Sequence, residues 1–122
     1  MKIVFATNNP NKIVEIKDLL PEEIQILSLK DINCNEQLPE TNPTLKENAL
    51  QKAQYINTHY SFNCFADDTG ICISAMNNQP GVRSNRFQEE NGGFEKTFEI
   101  IINETKRKKN FNAFFQTTIA LT

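Results

Sequence analysis

The chain has 122 residues, a length that fits one domain. It is 39% hydrophobic and 23% charged, which is ordinary for a globular protein, and its formal net charge of -2 gives no electrostatic footprint for nucleic acid or an anionic membrane. No apolar run approaches the roughly 20 residues that span a bilayer, and the first residues read as a strand rather than a secretory leader. Three cysteines, Cys34, Cys64 and Cys72, are an odd number without metal-ligand spacing, which points to a reducing cytoplasm. The only histidine, His59, falls near the end of a predicted helix, so a Ser-His-Asp relay or a zinc site would rest on it alone.

Residues 2–6 are apolar and β-branched and predict a buried strand. Thr7-Asn8-Asn9-Pro10-Asn11-Lys12 follows, with Asn9 as a helix N-cap and Pro10 at the first helical position. That helix runs to about Leu20, with Ile13, Ile16 and Leu20 on one face, and Pro21 ends it. Residues 24–28 predict a short strand, and 31–43 read as irregular. Thr44-x-x-Glu47 is a capping box that opens a helix over about 45–59. Its apolar face is Leu45, Ala49, Ala53, Ile56 and Tyr60, with Lys46, Glu47, Gln51 and Lys52 on the remainder. Two strand-like runs, 62–66 and 71–75, flank Asp67 and Asp68. Residues 77–81 predict a loop with Pro80-Gly81 as its turn, and 82–91 have no clear period. Phe94, Phe98, Ile101 and Ile102 mark a helix to about Thr105, closed by the basic run Lys106 to Lys109. Phe111, Ala113, Phe115, Thr117, Ile119 and Leu121 alternate as a long strand.

Two parts of this chain carry chemistry. The first is Phe65-Ala66-Asp67-Asp68-Thr69-Gly70, expected where a strand ends and the chain turns. Adjacent side chains on a strand face opposite sides, so a continuing strand would admit one acid to a site. Asp68 lies nearer the expected turn, and Gly70 leaves the backbone free for positive φ. A carboxylate there suits Mg²⁺ or a positioned water, while the bland reading is turn chemistry. The second part is the strand–loop–helix start at 7–12. Unpaired amides at a helix N-terminus favour anions, and Lys12 adds a cation, although the glycines of a Walker loop are missing. The bland reading makes Asn9 a cap and Lys12 a surface lysine. Glu40, on the irregular segment, is either a solvated acid or a second carboxylate. Together these groups would bind a polyphosphate and hold Mg²⁺ against it.

Four segments in order resemble the inosine triphosphate, or non-canonical purine nucleoside triphosphate, pyrophosphatases. They are Ala6-Thr7-Asn8-Asn9-Pro10-Asn11-Lys12 through Glu15; Glu40-Thr41 with Thr44-Leu45-Lys46-Glu47-Asn48-Ala49-Leu50-Gln51-Lys52-Ala53; Ala66-Asp67-Asp68-Thr69-Gly70-Ile71; and Pro80-Gly81-Val82 with Ser84 and Arg86-Phe87. The resemblance runs the length of the chain. It implies an α/β fold, a long twisted mixed β-sheet flanked by helices with a nucleotide-binding cleft. It implies Mg²⁺-dependent cleavage of ITP, dITP or XTP to the monophosphate and pyrophosphate, in a cytoplasmic homodimer whose partner is the nucleotide, with no nucleic acid and no membrane. Asp68 matches the family's general base and metal-site aspartate, and Glu40 a metal-site glutamate. Thr7, Asn8, Asn9, Pro10, Asn11 and Lys12 match its triphosphate loop, and Thr69 an adjacent substrate contact.

The sequence departs from the pattern at Arg83, where an aromatic is common, and at Asn8, where glycine is common. Family members continue into a Phe-Gly-Tyr-Asp segment and a Ser-His-Arg segment that hold the base. Neither occurs here, and the chain stops on an apolar strand. The expectation is a single domain over 1–122 that is the N-terminal part of a longer pyrophosphatase domain. Two alternatives stand beside the enzyme. An aspartyl-phosphate phosphatase spaces its two aspartates by one residue, whereas Asp67 and Asp68 are adjacent. A truncated nucleotide-binding domain would bind without turnover.

Overall fold

A computed structural model describes residues 1–122. It is a mixed α/β fold whose elements run β1 (Lys2–Phe5), α1 (Pro10–Leu19), β2 (Gln25–Leu27), α2 (Leu45–Tyr60), β3 (Cys64–Ile73), β4 (Gln79–Gly81), α3 (Ser84–Glu90), α4 (Phe94–Lys108) and β5 (Ala113–Leu121). Short 3₁₀ turns at Lys30–Ile32 and Ser74–Met76 complete it. The chain forms two compact units, one of Met1–Asp68 with Thr118–Thr122 and one of Thr69–Thr117. No helix is long and apolar enough to cross a membrane.

In the first unit β1 lies between β2 and the start of β3 and is parallel to both, with Ile3 opposite Ile26, Val4 opposite Cys64 and Phe5 opposite Phe65. Both faces of β1 are covered, and its alternation sorts the core. Ile3 and Phe5 pack with Ile13 and Ile26, with Ile16 and Leu20 beside them, on the α1 side. Val4 and Ala6 pack with Ala53, Ile56, Cys64 and Ala66 on the α2 side. Phe65 stacks on Phe5 at 4.4 Å between ring centroids, which puts it on the α1 face. A parallel strand covered on both sides reads as a near-continuous apolar run, as residues 2–6 do.

The helix caps are those the sequence predicts. Asn9 accepts from the Asn11 amide with Pro10 in the first turn, and Thr44 accepts from the Glu47 amide. The segment before α2 is strapped to that helix. The Asn48 side chain exchanges two hydrogen bonds with the Asn42 backbone, and Gln51 bonds Thr41 and the Asn42 side chain. The Tyr55 and Tyr60 hydroxyls donate to the two carboxylate oxygens of Glu36, at 2.8 and 2.7 Å.

In the second unit the end of β3 runs antiparallel to β4, with Ile71 opposite Gly81 and Ile73 opposite Gln79. Three expectations are corrected here. The acids do not mark a turn: β3 is one ten-residue strand through Asp67, Asp68 and Gly70. Gly70 is absent from the positive-φ positions; a Cβ there would collide with the Gly81 carbonyl, so close backbone approach explains the glycine. Pro80 and Gly81 belong to β4, and the turn before it uses Asn77 and Asn78 at positive φ. Residues 84–90, without a readable period, form α3, none of whose side chains is buried.

Candidate active site

Strand alternation decides where the two acids go. Cys64 and Ala66 face α2, and Phe65 faces α1, so Asp67 must face α1 and Asp68 must face α2. Each acid meets a lysine of the helix on its own side. Asp67 Oδ2 lies 2.5 Å from the Lys12 ammonium, at the first turn of α1. Asp68 Oδ1 lies 4.0 Å from the Lys52 ammonium, on α2.

Lys52 is the centre of the second cluster. It is 8% exposed, and a buried ammonium must be paired and hydrogen-bonded. Its Nζ donates to the Asp67 carbonyl at 2.5 Å and pairs with Glu40 Oε1 at 2.8 Å. Glu40 reaches it because the strapped segment runs back along α2. Asn48 sits one helical turn before Lys52 and is buried as well, its side chain bonded to the Asn42 backbone. Burial pushes the Asp68 pKa above the ordinary carboxylate value, with the negative charges of Glu40 and Asp67 adding to it; Lys52 and Asn48 pull the other way. A carboxylate held in this way is a stronger base than a solvated one.

Glu40 and Asp68 are therefore brought together, from different elements, around one positive charge. Hard oxygen donors that already share a cation suit a small divalent ion. No group of three or more His, Cys, Asp or Glu side chains is placed to cage a metal. An ion bound through one or two carboxylates and completed by substrate phosphate needs no such cage.

Thr7, Asn8, Asn9, Pro10 and Asn11 form the link from β1 into α1. Two of their side chains are engaged by the link itself: Thr7 Oγ1 accepts from the Asn9 amide at 3.1 Å, and Asn9 Oδ1 from the Asn11 amide at 3.0 Å. Thr69 belongs to the second unit, where its hydroxyl bonds that of Thr117 at 2.8 Å. Sequence reasoning missed Lys52, assigned to the polar face of α2, and the pairing of Lys12 with Asp67. The readable signal for Lys52 was its place one turn after Asn48, on the flank of the stripe Leu45, Ala49, Ala53 and Ile56.

A model of the Ham1 family matches residues 3–122. The chain is 47% identical over 121 residues to a dITP/XTP pyrophosphatase of Christiangramia forsetii, covering 99% of this chain and 64% of that protein. It is 40% identical over 124 residues to the dITP/XTP pyrophosphatase of Porphyromonas gingivalis, covering 98% and 62%. Among solved structures, a Ham1 protein from Coxiella burnetii superposes with a TM-score of 0.88 at 29% identity, over all of this chain and 63% of that one. A nucleoside-triphosphatase, dITP/XTP pyrophosphatase, from Mycobacterium abscessus gives 0.82 at 31% identity, over all of this chain and 65% of that one. The chain thus spans a little under two thirds of the relatives it matches. The family resemblance carried by the four motifs holds, and the chain belongs to the Ham1 family.

Proposed function

We propose that the chain carries the phosphate-cleaving centre of a Mg²⁺-dependent pyrophosphatase that converts dITP, XTP or ITP to the monophosphate and pyrophosphate. The observation that carries this reading is the convergence of Glu40 and Asp68 on the Lys52 ammonium, in a chain 47% identical to a dITP/XTP pyrophosphatase. Glu40 and Asp68 would hold Mg²⁺, which when bound would neutralise charge developing on the phosphate oxygens. The α1 N-terminus and Lys12 would take up the triphosphate, as the positive end of the helix dipole, the first-turn amides not used by the Thr7 and Asn9 side chains and a nearby ammonium favour an anion. Asp68, with its raised pKa, would accept a proton from the water that attacks phosphorus; the bond to the departing pyrophosphate oxygen then breaks. Lys52 would keep the two carboxylates in register and offset their repulsion. Thr69 would stand beside the base as a substrate contact.

The same reading takes the intact protein as a cytoplasmic homodimer acting on free nucleotides, without nucleic-acid or membrane partners. Three cysteines, all buried and none in a disulfide, suit a reducing compartment. The test is to incubate the protein with dITP, XTP, ITP and ATP in Mg²⁺ and to identify the products. Monophosphate and pyrophosphate are expected from the first three. Orthophosphate release, or binding without cleavage, would overturn the reading.

A further inference from the structure

We infer that Asp67 is a positioning residue for the triphosphate site: it pins the Lys12 ammonium on one side and leaves its remaining protons directed at the ligand. The inference rests on the phosphate reading of the α1 N-terminus. Asp67 has no place in the proposed chemistry, because alternation sends it to the face of β3 opposite Asp68. Its side chain is nevertheless only 12% exposed and lies 2.5 Å from Lys12 Nζ, a residue 55 positions away in sequence. The Lys12 side chain is 36% exposed. The pair is thus lopsided, with the carboxylate inside the protein and the ammonium at its edge.

A lysine in the first turn of a helix sits against the positive end of the dipole, a mildly unfavourable place for a cation. Four-carbon stems are flexible, and an unheld ammonium would swing into water. Asp67 removes that freedom at a point fixed by the β1–β3 pairing, since Phe5 pairs with Phe65 and the acid follows two residues later on the same face. An ammonium has three donors, and Asp67 takes one of them. The others are available beside the amides at the start of α1.

The sign of the effect separates this from simple electrostatics. Replacing Asp67 by Asn removes a negative charge near an anion site, so Coulomb attraction alone predicts tighter binding. A positioning role predicts weaker binding. The experiment titrates inorganic tripolyphosphate, by calorimetry at fixed ionic strength, into the wild-type chain and into D67N, D67E, K12A and K12A/D67N. D67N is expected to weaken binding by about tenfold, the scale of one charged hydrogen bond, with D67E recovering part of it. In the K12A background D67N should weaken binding no further.

Equal or tighter binding by D67N, or a D67N loss undiminished in K12A, overturns the inference while leaving the phosphate site intact. Absence of tripolyphosphate binding to the wild type overturns the site and the inference together. If D67N does not fold, the exchanged pair K12D/D67K, which keeps the ion pair, serves instead. It is expected to lose tripolyphosphate binding, and wild-type affinity in it overturns the inference.

Discussion

Asp68 is placed at a cost to the fold, and that cost can be measured. Burial raises its carboxyl pKa, so the folded chain holds its proton to a higher pH than the unfolded chain does. Between the unfolded and folded values the native state binds more protons, and stability falls as pH rises through that window. At neutral pH the ionised group is therefore a net burden in the metal-free protein. Asp68→Asn keeps the shape and removes the burden. Turnover of dITP should fall by about 10²–10⁴-fold, the usual contribution of a positioned acid or base. The thermal midpoint in metal-free buffer should stay level or rise, as expected where a site is strained for function. Near wild-type turnover would remove Asp68 from the centre. Lost turnover with a lower midpoint would make it a structural residue.

Elements, rather than single contacts, bring Glu40 to its place. The segment before α2 has little regular structure, and it is the straps to Asn48, Gln51, Tyr55 and Tyr60 that fix it. The hydroxyls of Tyr60 and then Tyr55 hold the Glu36 carboxyl below its ordinary range. A lowered folded pKa gives stability that is present above the unfolded value and is lost as pH falls through the folded one. The double change Tyr55→Phe/Tyr60→Phe should move the Glu36 titration up toward an ordinary carboxylate, read by NMR. It should also speed amide exchange at Thr41 and Asn42. An unmoved titration would show that the tyrosines do not hold the segment. Strand β3 makes a second prediction. Gly70→Ala drives a methyl into the Gly81 carbonyl, a backbone atom that can yield only by parting β3 from β4. Overpacking of this kind costs about 1–3 kcal/mol, read as a lower urea midpoint, and a neutral result would mean that the strands can separate there. These elements also show what the sequence could reveal. Asn9-Pro10 and Thr44-x-x-Glu47 are local signals, and both helices start where they say. The motifs singled out Glu40, Asp68 and Lys12, and the structure brings Glu40 and Asp68 to the Lys52 ammonium and Lys12 to Asp67. Asp-Asp-Thr-Gly has the composition of a turn, yet it continues a strand that pairs with β1 before it, with β4 after it and with β5, a tertiary effect that propensity does not contain. Lys52 was hidden because its burial depends on two acids, one from β3 and one from a segment without periodicity.

At the scale of the whole molecule both units leave large apolar groups in water, but of different kinds. The first buries two clusters on the two faces of β1 and exposes Met1, Val14, Leu19, Leu50, Ile119 and Leu121, none of them aromatic. The second leaves large apolar groups in water: Phe94, Phe98 and Ile102 on α4, and Phe111, Phe114 and Phe115 at and near the start of β5. Phe115 is 74% exposed, and Phe94 and Phe98 stack on each other rather than under a neighbouring element. Scattered apolar residues on a surface are normal, but the second unit exposes six large ones within 49 residues, five of them phenylalanines, a density that favours association. Burial returns about 25 cal/mol per Å² of apolar surface, so even partial cover of these rings favours association. The isolated 122-residue chain should therefore self-associate as its concentration rises, seen as a shift to larger size on a sizing column coupled to light scattering. Replacing Phe94, Phe98 and Phe115 by serine should reduce the shift. It should leave tripolyphosphate binding unchanged, because Lys12 and the start of α1 belong to the first unit. A monomer at every concentration would show that these side chains find cover within a single chain in solution. Association that survives the triple substitution would place the contact elsewhere.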